Sequence, residues 1–208
     1  MNVRRIFIIS VLAFFVLLFI LQPDSENVLT APLQSTDRVL AFGDSLTYGS
    51  GASSQSYPLQ LQGLIQKEII NAGVPGETSS RGLERLPALL QKYHPNLIIL
   101  CHGANDIIQK TSKNILKENL VKMIRMSKET GAQVLLIGVP DFYLFGFTTD
   151  GLYKEISKQE NVLYEGNILS RIENDPELKS DRIHPNAKGY GLMAKAFAEI
   201  LKKYKIVE

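Results

Sequence analysis

The chain predicts an α/β protein: one three-layer α/β/α sandwich on a parallel sheet of about five strands. Two observations lead there. From Arg38 onward, short apolar runs alternate with stretches of helical period, and that alternation implies a parallel sheet with right-handed crossovers. One run, Leu97-Ile98-Ile99-Leu100-Cys101, is apolar throughout, as a strand covered on both faces is.

The elements follow in order. Residues 38–42 form the first strand. A helix over Pro58–Lys67 carries Leu59, Leu61, Leu64 and Ile65 as its apolar positions. Ile69–Gly73 is the second strand. Thr78 is placed to cap a helix through Tyr93 that buries Leu83, Leu86, Leu89 and Leu90. Leu97–Cys101 is the third strand. A helix over Lys113–Thr130 presents Leu116, Leu120, Met123, Ile124 and Ser127 on one face, and Gly131 ends it. Val134–Val139 is the fourth strand, Leu152–Lys158 a helix, and Val162–Tyr164 a weak fifth strand. The last helix, Asn186–Tyr204, buries Tyr190, Met193, Ala194, Phe197, Ile200 and Leu201.

The 208 residues, 45% hydrophobic, suffice for one domain with a sizeable core. A net charge of +2 shows no nucleic-acid footprint. One cysteine and three histidines without HExxH spacing argue against a disulfide framework and a metal site.

The first residues differ from the rest. Arg4 and Arg5 precede an apolar run over 6–21, broken only by Ser10. This is the pattern of an export signal. As a helix it spans roughly 24 Å, a little short of a ~30 Å hydrocarbon core. No small-x-small cleavage site follows closely, so an uncleaved membrane anchor is favoured over a cleaved signal. The reading is therefore a signal-anchor or signal peptide over 1–22, a linker over 23–37, and a domain over 38–208. The domain is expected outside the cytoplasm, periplasmic or extracytoplasmic, and is read as a monomer.

Four loops hold residues that could do chemistry. Phe42-Gly43-Asp44-Ser45-Leu46 closes the first strand, and Gly43 is expected to permit a sharp turn before Ser45. Gly76 follows the second strand, Asn105 follows the third, and Asp181 and His184 precede the last helix. Serine needs a base to take its proton, and histidine is the usual one. A carboxylate on the other ring nitrogen fixes the tautomer. Asp181 and His184, three residues apart, can meet within one loop while Nε2 faces Ser45. Acyl transfer also needs oxyanion donors. The candidates are the N–H of Ser45, the N–H of Gly76, approachable for want of a Cβ, and the amide of Asn105.

Phe-Gly-Asp-Ser-Leu at 42–46, Asn-Ala-Gly-Val-Pro-Gly-Glu-Thr at 71–78, Gly-Ala-Asn-Asp at 103–106 and Asp-Arg-Ile-His-Pro-Asn at 181–186 resemble the four blocks of the SGNH (GDSL) hydrolases, in the family's order. The resemblance is closest to the bacterial acyl thioesterase I/lysophospholipase/arylesterase branch. It implies a flavodoxin-like sheet, no metal or organic cofactor, Ser45 as nucleophile, His184 as base oriented by Asp181, and Gly76 and Asn105 as oxyanion donors. Cys101-His102 departs from that branch; His102 is read as a neighbour of the site, Cys101 as a buried strand residue, and His94 as a surface connector. The apolar stretch after the fourth strand, with Phe142, Leu144, Phe145 and Phe147, is a candidate acyl-chain wall.

The expected activity is a serine hydrolase cleaving carboxylic esters or thioesters of acyl chains, small-molecule substrates, through an acyl-enzyme on Ser45. The alternatives are a carbohydrate or cell-wall O-acetyl esterase, and a membrane-anchored binding protein without catalysis.

Overall fold

In the computed structural model, five strands pair in parallel in the order β2-β1-β3-β4-β7. They are β1 (Arg38–Gly43), β2 (Glu68–Gly73), β3 (Leu97–Cys101), β4 (Gln133–Ile137) and β7 (Leu163–Glu165). The structure describes residues 28–143, 146–149 and 151–208, the side chains of 53, 142, 143, 147 and 148 excepted. The apolar run at 6–21 and residues 23–27 of the expected linker lie outside them. Among the described residues no helix is long and apolar enough to cross a membrane.

The centre of the sheet is dry. β3 is buried along its whole length, and β1 everywhere but Arg38. Edge strand β2 is only half-buried. Helices α2 (Tyr57–Ile65) and α8 (Ala187–Lys203) pack together on one face. There Tyr57 meets Phe197 edge-on at 5.1 Å. On the other face lie α3 (Ser79–Tyr93), α5 (Lys113–Glu129) and α6 (Gly151–Glu160). The expected faces of α3, α5 and α8 are turned inward, with Leu86, Leu120, Ile124, Met193, Phe197 and Leu201 all buried. Each such side chain contributes about 1.5–3 kcal/mol by leaving water.

Several local expectations change. In α2 the buried positions are Tyr57, Pro58, Leu61 and Ile65, while Leu59 and Leu64 are exposed; the helix turns a narrower stripe to the core than its leucines suggest. Thr78 is the N-cap residue of α3, but its side chain makes no capping bond. Asp106 accepts from Ser79 N–H at 2.8 Å instead. The apolar segment after β4 is a hairpin, not a loop. β5 (Pro140–Tyr143) pairs antiparallel with β6 (Gly146–Thr149), placing Phe142 opposite Phe147. Two short helices, α4 (Ala104–Ile108) and α7 (Ile168–Glu173), were not expected from the periodicity.

Residues 28–37, expected as linker, are tied to the domain. Leu33 N–H donates to Ile206 O at 2.8 Å, and Leu33 is buried. Ala31 exchanges two hydrogen bonds with the Gln133 side chain, at 3.0 and 2.9 Å. Gln133 begins β4. The segment therefore docks near the amino end of β4, at the end of the sheet away from Ser45.

Candidate active site

Sheet order reverses at β1: β2 lies on one side of it and β3 on the other. Ligands of open α/β sheets bind at such a switch point, beyond the carboxyl ends of the strands. Ser45 follows β1 and Asn105 follows β3, and both line one cleft there.

Ser45 opens a one-turn helix, α1 (Ser45–Tyr48), capped by Asp44, whose Oδ1 accepts from Leu46 N–H at 3.0 Å. Gly43 does not serve as a turn residue. A Cβ there would collide with Cys101 O and Thr47 Oγ1, so glycine lets β1, β3 and α1 close on one another. Asp44 is fully buried. Burial pushes its carboxyl pKa up. Its Oδ2 accepts from Asn105 Nδ2 at 3.3 Å, so it links the serine turn to the loop after β3.

His184 Nε2 lies 3.1 Å from Ser45 Oγ, and His184 Nδ1 lies 2.8 Å from Asp181 Oδ2. With a carboxylate on Nδ1, that nitrogen carries the proton and Nε2 accepts from the serine hydroxyl. The other Asp181 oxygen accepts from Ile183 and His184 N–H, both at 2.9 Å. The Ile183 N–H is the chief cause of a carboxyl pKa held at about 2, with the bonds from His184 adding to it. Asp181 is thus ionised in the folded protein near neutral pH.

Asn105 Nδ2 also donates to Glu77 O at 3.0 Å. The N–H groups of Ser45 and Gly76 have no hydrogen-bond acceptor among the described residues. Gly76 takes φ +78°, and a Cβ there would meet nothing within 4 Å. Its glycine therefore answers to the left-handed backbone rather than to close approach. Gly76 is exposed and does not line the cleft; its neighbour Glu77 connects the loop to Asn105.

Behind this loop sequence reasoning missed Arg85 and the role of Glu77, and it read His102 as a neighbour of the site. Arg85 grips both Glu77 oxygens at 2.8 and 2.6 Å, donates to Ala72 O at 3.0 Å, and lies 4.6 Å over the Phe42 ring. His102 is fully buried, with Nε2 3.3 Å from Glu77 Oε2 and neither ring nitrogen in a well-aligned hydrogen bond. Burial pushes the Glu77 pKa up, but His102 and Arg85 outweigh it and hold it at about 2. The departure at position 102 was the one available signal.

The cleft wall is apolar at Leu46, Ile108, Val139, Leu169 and Ile183, with Glu173 among them. Leu144, Phe145 and the side chains of Phe142 and Phe147, the expected acyl wall, lie outside the described parts. Pro140, which opens their hairpin, does line the cleft. Cys101 is buried and His94 exposed. No three metal-ligating side chains gather among the described residues.

A serine bonded to a histidine at the switch point of a parallel sheet defines the class as a serine hydrolase. The chain belongs to the GDSL-like Lipase/Acylhydrolase family, whose pattern matches residues 41–192. It is 29% identical to an arylesterase of Vibrio mimicus over 85% of this chain and 94% of that protein. It is 28% identical to the thioesterase 1/protease 1/lysophospholipase L1 of Escherichia coli, over 84% and 88% of the two chains. The psychrotrophic esterase EstA from Pseudoalteromonas sp., solved with monoethylphosphonate as inhibitor, superposes with a TM-score of 0.72 at 26% identity, covering 81% of this chain and 98% of that one. The protein is a serine esterase/thioesterase.

Proposed function

We propose that the protein cleaves esters or thioesters of acyl chains through an acyl-enzyme on Ser45. The observation that carries this is the relay from Ser45 Oγ to His184 Nε2 at 3.1 Å and from His184 Nδ1 to Asp181 at 2.8 Å. Ser45 Oγ attacks the carbonyl carbon while His184 Nε2 takes its proton. The oxyanion is held chiefly by the N–H of Ser45 and by Asn105, which line the cleft, and the unpartnered N–H of Gly76, in the loop that Glu77 ties to Asn105, joins them once a substrate covers it. The Glu77 bond aims the Asn105 amide, and the longer Asp44 contact is the one the oxyanion displaces. As the acyl–oxygen or acyl–sulfur bond breaks, His184 protonates the leaving alcohol or thiol. Water, activated by the same histidine, then frees the acid and restores Ser45.

Two things support acyl chains over acetyl groups. The cleft beside Ser45 is apolar-walled, and each buried methylene is worth ~0.8 kcal/mol. The related chains bear the names arylesterase and thioesterase/lysophospholipase. Labelling of Ser45 by a fluorophosphonate, with rates on p-nitrophenyl esters and acyl-CoA thioesters of rising chain length, tests the reading. No label at Ser45 refutes the mechanism, and rates falling from acetyl upward favour the O-acetyl esterase instead.

The same proposal places the domain outside the cytoplasm, anchored through 6–21. The support is the apolar run after Arg4 and Arg5. Working as a monomer is consistent with a site built from one chain. Membrane fractionation checks the anchor; a soluble native form beginning after about residue 22 shows cleavage instead.

A further inference from the structure

Three glutamates on the β7 side of the domain are buried to a similar degree: Glu160, Glu165 and Glu173. Two are fully partnered. Glu160 takes both arms of Arg125, at 3.0 and 2.8 Å, and Gln159 at 3.0 Å. Glu165 accepts from Asn167 N–H at 3.0 Å and from Ile168 N–H at 3.1 Å. Glu173 is different. Among the described residues its carboxylate has one partner, Lys179 Nζ, at 3.4 Å. That is longer than a good hydrogen bond. Burial pushes its pKa up, only partly offset by Lys179.

Glu173 is also the one of the three that lines the cleft, in company with Ser45, His184, Val139 and Leu169. The oxygen that Lys179 leaves free is open to solvent, since the buried side-chain atoms without a partner among the described residues both belong to His102. Water serves that oxygen when the cleft is free, and a substrate seated there is the group placed to take the water's place.

We infer that Glu173 is a specificity-determining residue that accepts a hydrogen bond from a hydroxyl group on the substrate. The inference rests on the Ser45 hydrolase reading and names its substrate class: hydroxyl-bearing esters or thioesters rather than plain alkyl ones. A hydroxyl suits the site better than an ammonium, because Lys179 already supplies the positive charge. Ionised or neutral, the carboxyl keeps an oxygen that accepts. The hydroxyl comes from the acyl chain or from the leaving alcohol, and the two sources are separable.

The experiment measures kcat/KM ratios. In the acyl arm, p-nitrophenyl 3-hydroxyhexanoate and 6-hydroxyhexanoate are each compared with p-nitrophenyl hexanoate. In the alcohol arm, 1-monooctanoylglycerol is compared with ethyl octanoate. The wild type should favour the hydroxylated member in at least one arm. Glu173→Leu should lower that ratio about tenfold or more, as expected for losing a hydrogen bond to a charged group. Glu173→Gln, which keeps the acceptor, should retain more of it. A ratio is insensitive to partial unfolding, and fluorophosphonate labelling counts the competent enzyme. Ratios within about twofold of wild type for Glu173→Leu in both arms overturn the inference and leave Glu173 as an anchor for Lys179. A preference seen only with p-nitrophenyl 6-aminohexanoate overturns the hydroxyl assignment. Wild-type enzyme that neither labels nor turns over any ester refutes the hydrolase reading itself, and this inference with it.

Discussion

The loop carrying Asn105 is bonded into buried charge, whereas the loop carrying Asp181 and His184 bonds mostly to itself. On the first side, buried Asp106 takes Ser79 N–H at 2.8 Å and its hydroxyl at 2.6 Å, and Asn119 reaches Ser79 and Ser80 at 2.9 and 3.0 Å. Glu77, Arg85 and Asp44 complete the support. On the second side, Ser180 N–H bonds His184 O at 2.9 Å, and Asn186 both accepts from α8 and donates to Glu177 O at 2.9 Å. Asp181 keeps 53% of its side-chain surface in water. The difference matches the tasks. Oxyanion donors stabilise a transition state only if fixed beforehand in a dry place. The histidine needs only a tautomer and an orientation, which a carboxylate three residues away supplies.

Removing the reacting groups should dwarf either kind of support. Ser45→Ala and His184→Ala should each cost several orders of magnitude in kcat, with little further loss in the double variant, because both act in one proton transfer. Ser45→Ala retaining more than about a tenth of wild-type turnover, far outside that pattern, would remove the acyl-enzyme. Next comes the buried side. Asn105→Ala should lower kcat by ~10²–10³ with KM little changed. A raised KM at unchanged kcat would make Asn105 a binding group and dissolve the contrast between the two loops.

How much of this was legible in the sequence divides along the same line. Asp181 and His184 meet across three residues, so spacing suggested the contact. Ser45 and His184 are 139 residues apart; only strand order and family resemblance brought them together. The central strands were legible because burial on both faces leaves an unbroken apolar run. The β5–β6 hairpin was not, since its apolar residues have no partner strand nearby in sequence except each other. Helices α4 and α7, of five and six residues, are too short to show a period. Nothing in the sequence singles out Glu77, Arg85 or Glu173 as buried charges, because burial of a charge is fixed by what packs over it, not by its neighbours in the chain.

The apolar wall supplies a smaller effect. Ile108 lines the cleft but is 47% exposed, so Ile108→Ala should leave the fold intact. Losing two methylene contacts at ~0.8 kcal/mol each should lower the octanoyl-to-acetyl ratio of kcat/KM about tenfold. Alanine at Phe142, Leu144, Phe145 or Phe147, measured by the same ratio, decides whether the hairpin shares the work. A ratio moving by less than about twofold in every variant would mean that no chain lies along these residues.

The last predicted change is in stability rather than rate: it concerns charge behind the oxyanion loop, and its sign is set by Glu77. Its pKa falls from 4.5 to about 2 in the folded protein, with its side chain only 6% exposed. A depressed carboxylate stabilises the fold above its ordinary value and loses that contribution as pH falls toward the folded one. At 1.36 kcal/mol per unit the contribution is on the order of 3 kcal/mol at pH 7. Asp44, Glu165 and Glu173 have pKa values raised by burial, so protonating them in acid works the other way. Glu77→Gln removes one side of this balance. Urea unfolding should show the variant less stable than wild type at pH 7. The gap should narrow between about pH 4.5 and pH 2 as wild-type Glu77 takes up its proton. Two stability curves running parallel through that window would mean that Arg85 and His102 hold the loop by packing alone. Glu77 would then be no more electrostatic than the self-bonded loop across the cleft.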